Sequence, residues 1–396
     1  MATGSEVIKP PRTAIGPVGW LKKNLFSTWY NALLTFLSLW LIYTVLGGAL
    51  KWAFTSARWG VVTSNLRLFM VGQFPLDQTW RVELCIFMVS ALFGLSWGVW
   101  GGALRNFAAA LAAGFAVLAI LPFGLATRIW LVGNLALILS GYLVGRRLPG
   151  AGRWVLAGWL LSFVLTILLL YGFEGSPVLP PVSTTLWGGL LLTFLLSIVS
   201  IVASFPIGVL LALGRRSELP VIRIFSILFI EIVRGVPLVT ILFMVHVMLP
   251  LFLPKEIRVA HVLRAMVAMT LFSAAYMAEN VRGGLQAIPE GQFEAAKALG
   301  LNAPLTMLLI ILPQALRMVI PAIVGQFISM FKDTSLAAIV GLLELLRIGQ
   351  FVLAQPQWLG FYKEVYLFVA LIYFICSYAM SYASYKLEAA LGVGKR

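Results

Sequence analysis

Trp159-Leu160-Leu161-Ser162-Phe163-Val164-Leu165-Thr166-Ile167-Leu168-Leu169-Leu170 belongs to a charge-free run from Trp154 to Phe173, and runs of this kind decide the fold class. Crossing the hydrocarbon core takes about 20 apolar residues in a helix. An ionisable side chain near the bilayer centre costs roughly 2.5–3.5 kcal/mol even on lenient scales, so uncharged gaps mark membrane spans. Upstream, the gaps are Asn24 to Leu50, Leu84 to Leu104, Asn106 to Thr127 and Ile129 to Gly145. Downstream come a long helix within Gly175 to Gly214, spans near 221–249 and 260–281, an interrupted run from Leu305 to Phe331, and a last one from Val365 to Tyr385. The expectation is an all-α integral membrane protein of about ten transmembrane helices.

Composition agrees with that reading. Of 396 residues, 61% are hydrophobic and 11% charged, where a soluble domain carries about 25% charged residues. The net charge of +15 is scattered as single residues and pairs between apolar runs. That is the pattern of topology signals rather than of a nucleic-acid surface. A cytoplasmic N-terminus places the excess of Lys and Arg inside: Lys9, Arg12, Lys22, Lys23, Arg105, Arg146, Arg147, Arg153, Arg215, Arg216, Lys395 and Arg396 all fall on that side. The first apolar run exceeds the roughly 7–15 residues of a signal-peptide core and is read as a retained helix. Cys85 and Cys376 lie inside apolar runs and supply neither a disulfide framework nor metal-ligand spacing.

The stretch Ser176-Pro177-Val178-Leu179-Pro180-Pro181 cannot sit inside a helix. It is read as the boundary between an N-terminal helical membrane extension, 1–180, and a second part, 181–392. The extension holds about five spans and a long extracytoplasmic loop, 52–81. Pro313 and Pro321, with Arg317, make the Leu305 to Phe331 run look like a broken helix lining a cavity.

Function is carried by the polar interruptions. Glu294-Ala295-Ala296 is followed by Gly300, then Ile310 and Leu312-Pro313. Pro289 and Glu290 suit a first helical turn. Phe293, Ala296 and Leu299 recur near helical spacing, and Gly300 suits a left-handed stop. Such a helix is either a rigid knob for a partner's groove or an amphipathic helix resting on the membrane. The spacing matches the cytoplasmic EAA loop of ABC importer permeases, with all its fixed positions present.

Further segments carry the resemblance: Arg234-Gly235-Val236-Pro237-Leu238, Ala275-Tyr276-Met277-Ala278-Glu279-Asn280-Val281-Arg282-Gly283-Gly284, Gly291-Gln292 and Lys332-Asp333-Thr334-Ser335-Leu336. They resemble the polar amino acid permeases of the histidine, glutamine and arginine import type, over about residues 183 to 392. The upstream half, including Leu66 to Gly72, is more loosely similar to the extended permeases of general L-amino acid importers.

The resemblance implies a C-terminal five-helix type I ABC importer permease core with a coupling helix at 290–300, in which Gln292, Phe293, Glu294, Ala295, Ala296, Lys297, Leu299 and Gly300 meet an ATPase. It also implies a second, similar but not identical permease, two ATPase subunits that carry ATP and Mg, and an extracytoplasmic amino acid binding protein. The expected location is the bacterial inner membrane, with both termini cytoplasmic.

Glu279, Asn280, His246, Gln314, Gln326, Lys332 and Asp333 are the candidates for a substrate path. Glu231 and Arg234 are expected to pair on one helix face, and with Pro237 and Pro313 are read as structural. No cofactor and no ATP hydrolysis are expected of this chain. Gly392-Val393-Gly394-Lys395 lacks the first glycine of a phosphate loop, since Ala389 stands there. An ion-coupled secondary transporter is the competing reading, and it requires inverted repeats with paired acids deep in two spans. A membrane enzyme requires convergent catalytic groups near the interface. The sequence supplies neither set.

Overall fold

The computed structural model describes residues 16–391 other than 122, 149, 255 and 256. Lys9, Arg12, Lys395, Arg396 and the Gly392 to Lys395 stretch lie outside the described residues. The described residues are almost wholly helical. They form α1 (Pro17–Asn24), α2 (Trp29–Thr55), α3 (Gly60–Thr63), α4 (Leu66–Val71), α5 (Thr79–Trp100), α6 (Gly102–Ile120), α7 (Leu125–Arg147) and α8 (Gly152–Tyr171). After a non-helical connector come α9 (Gly189–Arg215), α10 (Pro220–Gly235), α11 (Leu238–Phe252), α12 (His261–Gln286), α13 (Glu290–Ala298), α14 (Ala303–Leu305), α15 (Leu312–Asp333), α16 (Leu345–Leu353) and α17 (Tyr362–Leu391).

Among these residues eight helices are long and apolar enough to cross a membrane, or nine with one bent pair. With the shorter apolar α6 they occupy every charge-free stretch marked in the sequence. Two of the expected spans differ in shape. The stretch read as one span over 221–249 is α10 and α11, which meet at 109°. Pro237 has no N–H to continue the α10 ladder and instead stands as the N-cap of α11, with an extended ψ of 143°. The run from Leu305 to Phe331, expected to be broken, is continuous from Ala303 to Val340. A π-helical turn over Thr306–Ile311 precedes Pro313, which then occupies the first turn of α15, where its missing N–H leaves nothing unpaired.

Contacts divide the chain at Gly60 into two compact units. In the first, Thr28 caps α2 by accepting from the Asn31 N–H at 3.4 Å. None of α2's 27 residues is buried, and its all-round apolar surface is that of a helix solvated by lipid.

In the second unit, α5 packs on α6, α7 and α8. The α5–α7 contact is made backbone to backbone. A Cβ at Gly94 would stand 2.3 Å from the Ile138 carbonyl oxygen, and one at Gly141 2.7 Å from that of Ala91. In a bilayer, where apolar burial drives little association, such close approach is what holds helices together. Ser90 adds a hydrogen bond to Asn134 Oδ1 (2.7 Å), and Trp159 Nε1 one to Ser96 (3.0 Å).

The connector is fixed by Arg81 at the start of α5, a fully buried side chain. Its guanidinium donates to the carbonyls of Pro180 (2.9 Å) and Leu169 (3.3 Å) and to Gln78 (2.8 Å). Further on, α12 is the central helix, packed on α9, α10, α11 and α15. Close contacts seat it: a Cβ at Gly208 would lie 2.5 Å from Met277, and one at Gly284 2.6 Å from the Ala315 oxygen. The stretch 52–81 holds α3, α4 and a 3-10 turn. Its Phe69, fully buried, meets Phe368 of α17 edge to face with ring centroids 5.0 Å apart.

Substituting Gly94→Leu should force α5 off α7 and lower the thermal midpoint of the purified protein, overpacking of this kind costing about 1–3 kcal/mol. Gly114→Leu on α6, where a Cβ would meet nothing, should leave the midpoint unchanged.

Candidate functional site

The helix α13 begins after Pro289, with Glu290 in its first turn and Lys297 in its last, both placed to suit the helix dipole. It ends in a complete left-handed stop. Gly300 has φ 76°, its N–H bonds to the Lys297 oxygen at 2.9 Å, and the Leu301 N–H bonds to that of Ala296 at 3.1 Å. Ala296 is buried, and half-buried Phe293 packs on the cluster formed by Ile288, Ile311 and Ala315. Glu294, Ala295, Lys297 and Leu299 are exposed, Leu299 to 78%.

Two membrane helices hold α13. A short turn through buried Ile288 joins it to α12, and on its other side it packs on the π turn that leads into α15. Gln314 of α15 donates to Gln292 of α13 at 3.1 Å and to its own helix at the Ile310 carbonyl at 2.9 Å. Gln314 therefore lies at the α13 end of the bundle.

A charged cluster sits where α9, α10 and α12 meet. Glu279, with 15% of its side chain exposed, faces Arg282 (2.8 Å), Arg215 (2.9 Å) and Arg234 (3.5 Å). Glu231 pairs with Arg215 at 2.9 Å rather than with Arg234, correcting the pairing expected along α10. Arg234 instead reaches Glu279 and stacks over the Tyr276 ring at 5.4 Å. Arg282 also donates to Gln286 at 2.7 Å.

Between α12 and α15 lies a neutral polar set. Asn280 donates to Gln326 at 2.7 Å, and Gln326 donates to the Ser273 carbonyl (2.6 Å) and hydroxyl (2.9 Å). At the opposite membrane side from α13, His246 packs edge to face on His261 with centroids 4.7 Å apart, while Arg264 donates to the His246 carbonyl at 3.0 Å. Lys332 is exposed and Asp333 half-buried at the end of α15. The seven candidates for a path thus fall into separate groups, with Asn280 and Gln326 joined across helices by a hydrogen bond. Among the described residues no group of three His, Cys, Asp or Glu side chains is arranged to hold a metal ion.

No sequence pattern singles out Arg215 and Arg282 as partners of Glu279, nor Ser273, nor the pairing of Glu344 with Tyr373. Glu344 is fully buried beneath α16. Its carboxylate accepts from the N–H groups of Leu346 (2.8 Å) and Arg347 (2.7 Å) and from the Tyr373 hydroxyl (3.0 Å). An acid between Leu343 and Leu345 is itself a signal, by the same charge-spacing rule that found the spans. Burial pushes this carboxyl up to about 7 against the pull of its hydrogen bonds.

A folded value raised above the unfolded one adds stability that is fully present below the ordinary carboxylate range and lost as pH rises through about 7. Thermal midpoints should therefore fall between about pH 5 and about pH 8, and Glu344→Gln should flatten that slope. An unchanged slope in the variant would show that another group sets it.

Residues 204–391 match the family described as binding-protein-dependent transport system inner membrane component. The chain is 39% identical over 392 residues to the inner membrane amino-acid ABC transporter permease protein YhdY of Escherichia coli K12, covering 95% of this chain and 93% of that one. It is 36% identical over 436 residues to the glutamate/glutamine/aspartate/asparagine transport system permease protein BztC of Rhodobacter capsulatus, covering 98% and 97%. The probable glutamine permease GlnP of Bacillus subtilis is 37% identical over 204 residues, 92% of its own length and 51% of this chain.

Proposed function

Because the chain belongs to the family of binding-protein-dependent transport system inner membrane components, the permeases of ABC importers, we propose that it moves L-amino acids across the bacterial inner membrane, with 181–392 as the translocation core and 1–180 as an N-terminal membrane extension. The observation that carries this reading is α13. It is a capped surface helix that exposes Glu294, Ala295, Lys297 and Leu299 while bonded to two central membrane helices.

In this reading α13 is the coupling helix and lies in the cytoplasm, where both termini also lie. Two ATPase subunits bind ATP and Mg, and each receives the coupling helix of one permease, this chain or a similar partner. An extracytoplasmic binding protein delivers the amino acid at the α16 side. When the ATPases close, α13 is displaced as a rigid knob, because Gly300 ends it and Ala296 seats it. Its turn into α12 and the Gln292–Gln314 bond pass the displacement to both α12 and α15. Those helices carry Asn280, Ser273 and Gln326, whose amides and hydroxyl suit the ammonium and carboxylate of a zwitterion in a dry path.

Glu279 acts here as a lock between helices rather than as a substrate contact, since both its oxygens are taken by arginines. Opening toward the cytoplasm then requires α9 and α10 to shift against α12 around that carboxylate. His246, Lys332 and Asp333 lie at the side where substrate enters.

The test is Gly300→Asp. A side chain in the left-handed region costs about 1–2 kcal/mol, about ten-fold in the equilibrium constant between docked and undocked helix. In vesicles that hold the complex with its ATPases and binding protein, uptake should fall, by up to about ten-fold, while ATP hydrolysis and membrane insertion persist. Undiminished uptake contradicts the coupling role.

A further inference from the structure

Three arginines of the central bundle share one carboxylate, and four at one end of the α5–α8 bundle stand on a stretch without any. Arg215, Arg234 and Arg282 all face Glu279. From Glu83 to Glu174, by contrast, no acidic residue occurs. That stretch places Arg105, Arg146, Arg147 and Arg153 at one end of a single four-helix bundle.

The packing brings this end together. Gly101 and Gly102 turn α5 directly into α6, which puts Arg105 in its first turn. A Cβ at Gly98 would lie 2.7 Å from the Arg146 nitrogen, so the end of α5 rests on the end of α7. Gly152 opens α8 against the Trp100 indole, whose Nε1 its Cβ would approach to 3.0 Å. All four guanidinium-bearing residues are exposed. The helix order puts them on the same membrane side as α13.

Immediately above them the surface is apolar. Leu143, Val144, Leu156 and Leu160 are exposed to between 49% and 63%. Trp154, 69% exposed, lies under the Arg153 guanidinium, 5.5 Å from its charge centre, as aromatic side chains do at the headgroup level.

We infer that this end of the α5–α8 bundle binds an anionic phospholipid, the arginines holding its phosphate and the α7 and α8 surface receiving its acyl chains. Unpaired cationic charge over an exposed apolar wall fits a lipid rather than a free anion, which needs no wall. Topology alone asks only for positive charge, whereas guanidinium groups present the paired donors that grip a phosphate. The site gives the upstream bundle a role of its own at the cytoplasmic leaflet, where anionic headgroups attract basic segments.

The experiment reconstitutes the full chain in nanodiscs of phosphatidylcholine with or without phosphatidylglycerol, and measures lipid retained on extraction by native mass spectrometry. Wild type should retain phosphatidylglycerol selectively. Retention should fall about five-fold for each of Arg105→Gln, Arg146→Gln, Arg147→Gln and Arg153→Gln. The matching Lys variants keep the topology signal and should fall less. Inorganic phosphate in excess should leave the retained phosphatidylglycerol in place, and its displacement by phosphate alone overturns the lipid assignment. Equal retention of phosphatidylcholine and phosphatidylglycerol by wild type overturns the proposal, as does unchanged retention in folded Gln variants. Should a Gln variant fail to insert, the wild-type comparison and the Lys series still decide.

Discussion

In the hydrocarbon of a bilayer an unpaired charge is far costlier than in water, and the structure gathers its ionic groups accordingly around one carboxylate. Glu279 sits about two turns before the end of α12 and holds arginines from the ends of α9, α10 and from α12 itself. Three helices whose apolar faces would pack in several registers are thereby given one. Removing the acid would leave Arg234 and Arg282 crowded beside Arg215 with Glu231 as the one carboxylate paired to the cluster.

From that lock the structure runs in two directions. Toward the surface, α12 passes through a short buried turn into α13, a helix too short to be stable alone and held by Phe293, Ala296 and the Gln292–Gln314 bond. Toward the membrane interior the same helix carries Ser273, which with Gln326 of α15 and Asn280, the neighbour of Glu279, forms a neutral hydrogen-bonded set. Surface helix, ionic cluster and polar set thus all connect to α12. On the far side, Glu344 fixes the first turn of α16 to Tyr373 of α17, and Phe69 of α4 packs against Phe368 of that same helix.

Much of this was legible in the chain itself. Charge-free spacing makes α2, α5 to α9 and α17 legible, because an unpaired charge is costly in hydrocarbon wherever it falls along a span, whereas α10, α12 and α15 carry charges within them and show only as apolar runs. The stop at Gly300 was legible for the same reason, being local: left-handed backbone suits glycine wherever it occurs. Reading failed where the answer is tertiary. Glu231 and Arg234 have the spacing of a pair, yet the packing of α9 and α12 on α10 brings each a different partner. Pro313 looked like a break, but a π turn just before it moves the proline into a first turn. Pro237 was noted without its consequence, a 109° bend. Gln314 is amide-rich and mid-run in sequence, and only the docking of α13 shows that it faces Gln292.

A coupling role for α13 requires it to seat on a separate nucleotide-hydrolysing subunit. Cross-linking from Ala295→Cys in a chain whose Cys85 and Cys376 are replaced by Ser reports that seating. With a photoactivatable thiol reagent and the co-expressed ATPase, the account predicts an adduct between the two subunits whose yield changes when ATP is bound. An adduct formed only with lipid, or a label reached only by reagents added outside the cell, would contradict it.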